Sequence, residues 1–188
     1  MTDINLPHNW KARKYQEPLW NALGSDVKRF LAIWHRRAGK DDVMMHHNAC
    51  ASFERVGNYW YCLPEYNQCR KAIWSAINPH TGKKRIDEAF PEEIRSGIND
   101  QEMKIKLKSG STWQLMGSDN YNSLVGSPPI GITFSEYALS NPTSWGYLRP
   151  ILLENGGWAS FNTTPRGKNH VSRMAKMAED SEEWFYQK

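Results

Sequence analysis

Trp34-His35-Arg36-Arg37-Ala38-Gly39-Lys40-Asp41 joins an apolar run of strand length, Phe30-Leu31-Ala32-Ile33-Trp34, to a helical stretch from about Asp41 to Phe53. A tight loop at such a junction points its backbone N–H groups inward at the positive end of the helix dipole, which makes it a site for phosphate. Gly39 supplies conformational freedom and close approach, and Lys40 supplies a charge that reaches terminal phosphates. The segment overlays the phosphate-loop pattern G-x-x-x-x-G-K-[ST] at Gly39 and Lys40 only. Trp34 stands where the first glycine is expected, so the entry to the loop must be shaped differently. Asp41 stands where a hydroxyl normally binds Mg²⁺; a carboxylate is also a hard oxygen ligand, so metal binding survives there with altered geometry.

Working outward, strand-length apolar runs alternate with helical stretches. That alternation predicts a three-layer α/β domain, a mostly parallel sheet with helices on both faces. Helices are expected over Tyr15–Leu23, Tyr66–Ile77, Pro142–Leu153 and Asn169–Ala178, and strands over Tyr59–Leu63, Pro129–Phe134 and Trp158–Asn162. Trp184 to Lys188 reads as the opening of a further strand. The period-two run Met103 to Lys108 puts Met103, Ile105 and Leu107 on one face and Lys104, Lys106 and Lys108 on the other. With Ser109-Gly110-Ser111 and Thr112–Met116 it predicts a hairpin whose lysines form a solvated edge. A chain of 188 residues accommodates one domain of ordinary size.

The strand Pro129–Phe134 ends abruptly in Ser135-Glu136. Hydrolysis of a bound triphosphate needs a carboxylate beside the γ-phosphate to orient or deprotonate water, and phosphate-loop enzymes place it at the end of a neighbouring parallel strand. Glu136 occupies that position. Ser135 stands where an Asp usually precedes it, leaving a hydroxyl to hold the Mg²⁺ or its water.

Arg13-x-Tyr15-Gln16, His35 to Asp41, Phe134-Ser135-Glu136-Tyr137-Ala138 and Phe161-Asn162-Thr163-Thr164-Pro165-Arg166-Gly167 together resemble the ATPase domain of phage large terminase subunits. Order and spacing agree too, with Glu136 96 residues after Lys40 and Thr163 a further 27 on. The resemblance implies an additional-strand, RecA-like P-loop NTPase over residues 1–188, without the nuclease half that such subunits usually carry. It implies ATP and Mg²⁺ as cofactors and packaging of double-stranded DNA into a procapsid as the role. Arg13, Tyr15 and Gln16 then look like an adenine-binding segment, the glutamine amide reading the base edge and the aromatic ring stacking on it. His35, Arg36, Arg37, Ala38, Gly39, Lys40, Asp41 and Asp42 look like the nucleotide loop, with Asp41 and Ser135 as metal residues. Lys40 and Glu136 take the catalytic roles, and Thr163, Thr164 and Pro165 look like the coupling motif that senses the γ-phosphate.

A ring motor is also expected to lend an arginine to its neighbour's ATP. The segment Ser123-Leu124-Val125-Gly126, where many terminases carry it, has Val125 instead. Arg149, closing the helix after Glu136, is the first alternative; Arg166 is the second, and Arg36 or Arg37 would act within the loop. The partners implied are DNA, the portal protein and the small terminase subunit. The implied assembly is a pentameric ring on the procapsid and a monomer in isolation, acting in the host cytoplasm and absent from the mature virion.

Other features are bland. A formal net charge of +4 decides nothing about nucleic acid. Cys50, Cys62 and Cys69 read as reduced, mostly buried thiols. His46-His47 read as packing or surface residues rather than metal ligands, and Glu92-Glu93 and Glu182-Glu183 as solvated pairs. No apolar stretch reaches the length of a membrane span. Two further functions fit the same motifs: a superfamily 2 helicase core, and a nucleotide- or DNA-binding module with weak turnover.

Overall fold

Every residue of Arg29–Ile33 is buried, as is nearly all of Asn58–Leu63, Pro129–Phe134 and Trp158–Thr163. Strands covered on both faces are what a parallel α/β sheet requires. The computed structural model describes residues 4–119 and 128–188. Along them run α1 (Glu17–Leu23), β1 (Arg29–Ile33), α2 (Lys40–Glu54), β2 (Asn58–Leu63), α3 (Tyr66–Cys69), α4 (Arg85–Ala89), β3 (Arg95–Asn99), β4 (Lys104–Leu107) and β5 (Thr112–Gly117). Then follow β6 (Pro129–Phe134), α5 (Thr143–Asn155), β7 (Trp158–Thr163), α6 (His170–Glu179) and β8 (Trp184–Gln187). The Ser123–Gly126 segment lies outside the described residues.

The described strands form one eight-stranded sheet in the order β3-β4-β5-β2-β6-β7-β1-β8. From β5 to β8 all neighbours are parallel, and β3, β4 and β5 are antiparallel. Alternate residues feed two cores. Phe30, Ala32, Tyr59 and Tyr61 pack with Leu19, Val43, Met44 and Ile86 on the face of α1, α2 and α4. Leu31, Trp60, Ile132 and Phe161 pack with Leu148, Leu152 and Val171 on the face of α5 and α6. Each fully buried Leu, Ile, Val, Phe or Met among them contributes roughly 1.5–3 kcal/mol. The expected three-layer, mostly parallel architecture is the one found.

Four local expectations change. β6 and β1 are not neighbours, because β7 lies between them and pairs in parallel with both. The lysine-bearing β4 is not an edge, since β3 covers it. The helix from Tyr66 does not reach Ile77; it widens into a π-turn over Arg70–Trp74, where the Ser75 N–H donates to Arg70 O at 2.8 Å. The helix after Glu136 does not close at Arg149 but continues through Pro150 to Asn155, capped by Gly156 in the left-handed conformation (φ 67°).

The thiols are free, with Cys62 and Cys69 buried and Cys50 partly so. Burial raises Cys50 to about 11 and Cys69 to about 12. Among the described residues no helix is long and apolar enough to cross a membrane.

Candidate active site

β1, β6 and β7 all end on one side of the sheet, where the segments after β1 and β6, with Arg13, Arg85 and residues 76–80, line a cleft of ≈ 660 Å³. Its lining includes Arg13, Arg36, Arg37, Gly39, Lys40, Asp41, Asp42, Arg85 and Glu136, together with the backbone turn from Ala76 to His80. Five of these residues are cations and three are carboxylates, a balance suited to a polyanion.

The loop after β1 turns without the first glycine of the phosphate-loop pattern. The Trp34 N–H extends the parallel ladder by donating to Thr163 O at 3.1 Å, so the chain has no need to turn there. The reversal is made at Arg37 (φ 63°) and Gly39 (φ 71°), both left-handed. For arginine this conformation is strained, and such strain concentrates where backbone is held open for a ligand. No side chain caps α2, so its first-turn N–H groups remain available to an anion.

Lys40 is buried, and its ammonium donates to Trp34 O at 3.4 Å, His35 O at 3.3 Å and Thr164 Oγ1 at 3.1 Å. It also lies 3.7 Å from Glu136 Oε1. Thr164 Oγ1 in turn donates to Glu136 Oε1 at 3.2 Å. The residue just after the interposed strand β7 thus brings its hydroxyl between the two charges. Glu136 is itself left-handed (φ 50°), at the start of a short 3₁₀ turn over Tyr137–Leu139, and its Oε2 is buried without a hydrogen-bond partner. A buried carboxylate oxygen in that condition calls for a donor. Thr163 accepts the Ala138 N–H at 3.2 Å, tying the end of β7 to the same turn.

Asp41 and Ser135 meet directly. Asp41 Oδ1 accepts from Ser135 Oγ at 2.6 Å and Tyr61 OH at 2.7 Å, with Asn162 Nδ2 at 3.4 Å. Burial, and then the Asp41 carboxylate, hold the Tyr61 phenol protonated and far above its ordinary range. Asp42 is engaged by Arg85, which donates through Nη2 at 2.6 Å and Nε at 2.9 Å. Burial lowers the Arg85 pKa, but Asp42 and Asp41 outweigh it and keep the guanidinium firmly charged.

The segment expected to hold adenine packs against the loop after β1. Gln16 is 2 % exposed, with Oε1 accepting the Arg13 N–H at 2.9 Å and Nε2 donating to Ala38 O at 2.8 Å. Both polar atoms of its amide thus bond backbone, and through Ala38 it braces the loop after β1. Tyr15 OH donates to the same Ala38 oxygen at 2.9 Å, while its ring stays partly exposed, edge-on to Trp34.

The structure therefore brings together Lys40, Asp41, Ser135, Glu136 and Thr164, with Arg13, Tyr15, Gln16, Thr163 and the loop around them. Pro165 and Arg166 continue from that cluster along a neighbouring groove beside α6. Arg149 is apart: it lines a separate cleft with Arg29, Trp145 and Gly157, near the opposite ends of β1 and β7. Tyr61, Arg85 and Asn162 are site residues that the sequence reading does not single out. Nothing marks Arg85, which is distant in sequence, whereas the position of Asn162 just before Thr163 is a usable signal.

No protein-family model and no curated protein matches the sequence. Solved structures do. The ATPase domain of the large terminase of Thermus phage P74-26 superposes with TM-score 0.72 at 18 % identity, over 94 % of this chain and 80 % of that one. The large terminase of a second thermophilic bacteriophage superposes with TM-score 0.74 at 14 % identity, over 95 % of this chain and 45 % of that one. The same bacteriophage protein in complex with ATP-gamma-S gives 0.70 at 16 % identity, over 93 % and 43 %. The chain has the fold of these ATPase domains.

Proposed function

We propose that the chain is the ATP-hydrolysing domain of a phage large terminase subunit, using ATP and Mg²⁺ to drive double-stranded DNA into a procapsid. One observation carries this reading. The Lys40 ammonium, the Thr164 hydroxyl and the Glu136 carboxylate form a contiguous chain at the mouth of a phosphate-loop cleft, each from a different loop. Incoming phosphate oxygens replace the loop carbonyls and Glu136 around the ammonium of Lys40, while loop N–H groups and the cleft's arginines take the remaining charge. Glu136, released from Lys40, orients water for in-line attack, with Thr164 fixing its other oxygen. Asp41, backed by Ser135, would hold a Mg²⁺ with its hard oxygen, and a cation there would supply shielding of the triphosphate's charge.

In this reading Thr163 to Pro165 relay γ-phosphate loss, and an arginine arrives from a neighbouring subunit in a ring, pentameric on the procapsid. Arg149, remote from its own cleft, and Arg166 are the donors to test. The portal protein, small terminase subunit and host cytoplasm belong to the same proposal. Phosphate release measured against protein concentration, with DNA present, tests it: release rising more steeply than linearly and abolished by Glu136→Ala supports the reading, whereas release untouched by Glu136→Ala contradicts it.

A further inference from the structure

Phosphate-loop enzymes hold Mg²⁺ with a hydroxyl that follows the lysine and an aspartate at the end of the acidic strand. Here the residue types at both positions are reversed, and the two side chains lie 2.6 Å apart. We propose that the metal-holding carboxylate and hydroxyl have exchanged places, so that Asp41 on α2 is the direct cation ligand and Ser135 on β6 positions it. This rests on the nucleotide site proposed above and goes beyond it, by assigning which oxygen takes the cation and why both departures from the pattern coexist.

The charges in the cleft single Asp41 out. Of its three carboxylates, Glu136 is paired with Lys40 and Asp42 with Arg85. Asp41 lies in the field of the Arg85 guanidinium without bonding to it, and its hydrogen-bond donors, Ser135, Tyr61 and Asn162, are all neutral and all directed at one oxygen, Oδ1. Among the described residues none donates to Oδ2. An oxygen anion fixed on one side by neutral donors and open on the other, in a cleft whose other carboxylates already hold cations, is suited to a small hard cation. The exchange also conserves charge, because the pair of positions 41 and 135 carries one carboxylate in either arrangement. Either substitution alone would leave two hydroxyls or two adjacent carboxylates, the first without a hard anionic ligand and the second mutually repulsive.

Reversing the exchange tests it. Mn²⁺ binding is followed by loss of the free-ion paramagnetic resonance signal, in the presence of a non-hydrolysable ATP analogue. Asp41→Ser should weaken Mn²⁺ at least about tenfold, and adding Ser135→Asp should recover most of that loss. Asp41→Asn keeps the shape and the hydrogen-bond acceptor, and guards against misfolding of the doubly substituted protein; it should weaken Mn²⁺ to a similar extent with an unchanged melting curve. Undiminished Mn²⁺ affinity in Asp41→Asn overturns the proposal, as does a folded double variant no better than Asp41→Ser. The analogue's own affinity separates the two levels: if the unaltered protein fails to bind it, the nucleotide reading fails, whereas analogue binding with Mn²⁺ indifferent to residue 41 defeats the exchange alone.

Discussion

Lys40 and Glu136 meet across a strand that belongs to neither of them. Their charged atoms are 3.7 Å apart, yet the strands before them, β1 and β6, are separated by β7, and Thr164, the residue just after β7, reaches both. Under the proposed function, the residue that touches the phosphate-binding cation and the water-orienting carboxylate together is therefore well placed to sense whether phosphate is present. This arrangement turns three dispersed motifs into one site.

Thr164→Val removes that hydroxyl with little change of shape. Two hydrogen bonds near charged groups are lost, so ATP hydrolysis should fall by about tenfold or more while nucleotide affinity changes far less. Thr164→Ser should restore the rate. Steady-state kinetics on both variants checks this; a Thr164→Val enzyme with unaltered turnover removes Thr164 from the mechanism.

Gln16 supports the phosphate loop from beneath, and Gly39 is shaped by it: a Cβ at residue 39 would lie 2.8 Å from Gln16 Nε2. Gln16→Leu leaves the Ala38 oxygen without one of its two donors, at a cost of about 1–3 kcal/mol. It should lower the melting temperature and weaken ATP and GTP alike. Competition binding with both nucleotides distinguishes the roles, because a loss confined to ATP would make Gln16 a reader of the base.

His47 is fully buried against the Trp158 ring, at 4.7 Å between centroids, and its Nε2 has no partner. Burial lowers its pKa from 6.5 to about 4. The unfolded chain therefore binds the proton more readily, so the stability associated with the neutral ring is complete above pH 6.5 and is lost as pH falls towards 4. The full effect is about 3 kcal/mol. Between pH 7.5 and pH 4.5 the melting temperature of the unaltered protein should fall further than that of His47→Phe, which has no ring to protonate. Parallel curves in thermal melts would show that His47 does not control acid stability.

The sheet is legible in the sequence because buried strands such as Phe30–Trp34 and Pro129–Phe134 carry unbroken apolar, β-branched runs. β3 is not: Arg95-Ser96-Gly97-Ile98-Asn99 offers one strong strand former, Ile98, and that residue is exposed. Strand order is hidden for a different reason, since local sequence does not say which strand inserts between β1 and β6. At the site, Lys40, Asp41, Ser135 and Glu136 are readable from position relative to strand ends. Arg85 is not, because its meeting with Asp42 depends on how the chain after the π-turn folds back over α2. Gln16 stands in the expected place with a different partner, since burial decides whether an amide faces a ligand or the backbone.

Equilibrium titration of a fluorescent ATP analogue shows whether the cleft around Lys40 binds a triphosphate. Saturable binding is expected, competed away by ATP and weakened at least about tenfold by Lys40→Ala, with the circular dichroism spectrum unchanged. Equal affinity in a folded Lys40→Ala protein would contradict triphosphate binding in that cleft.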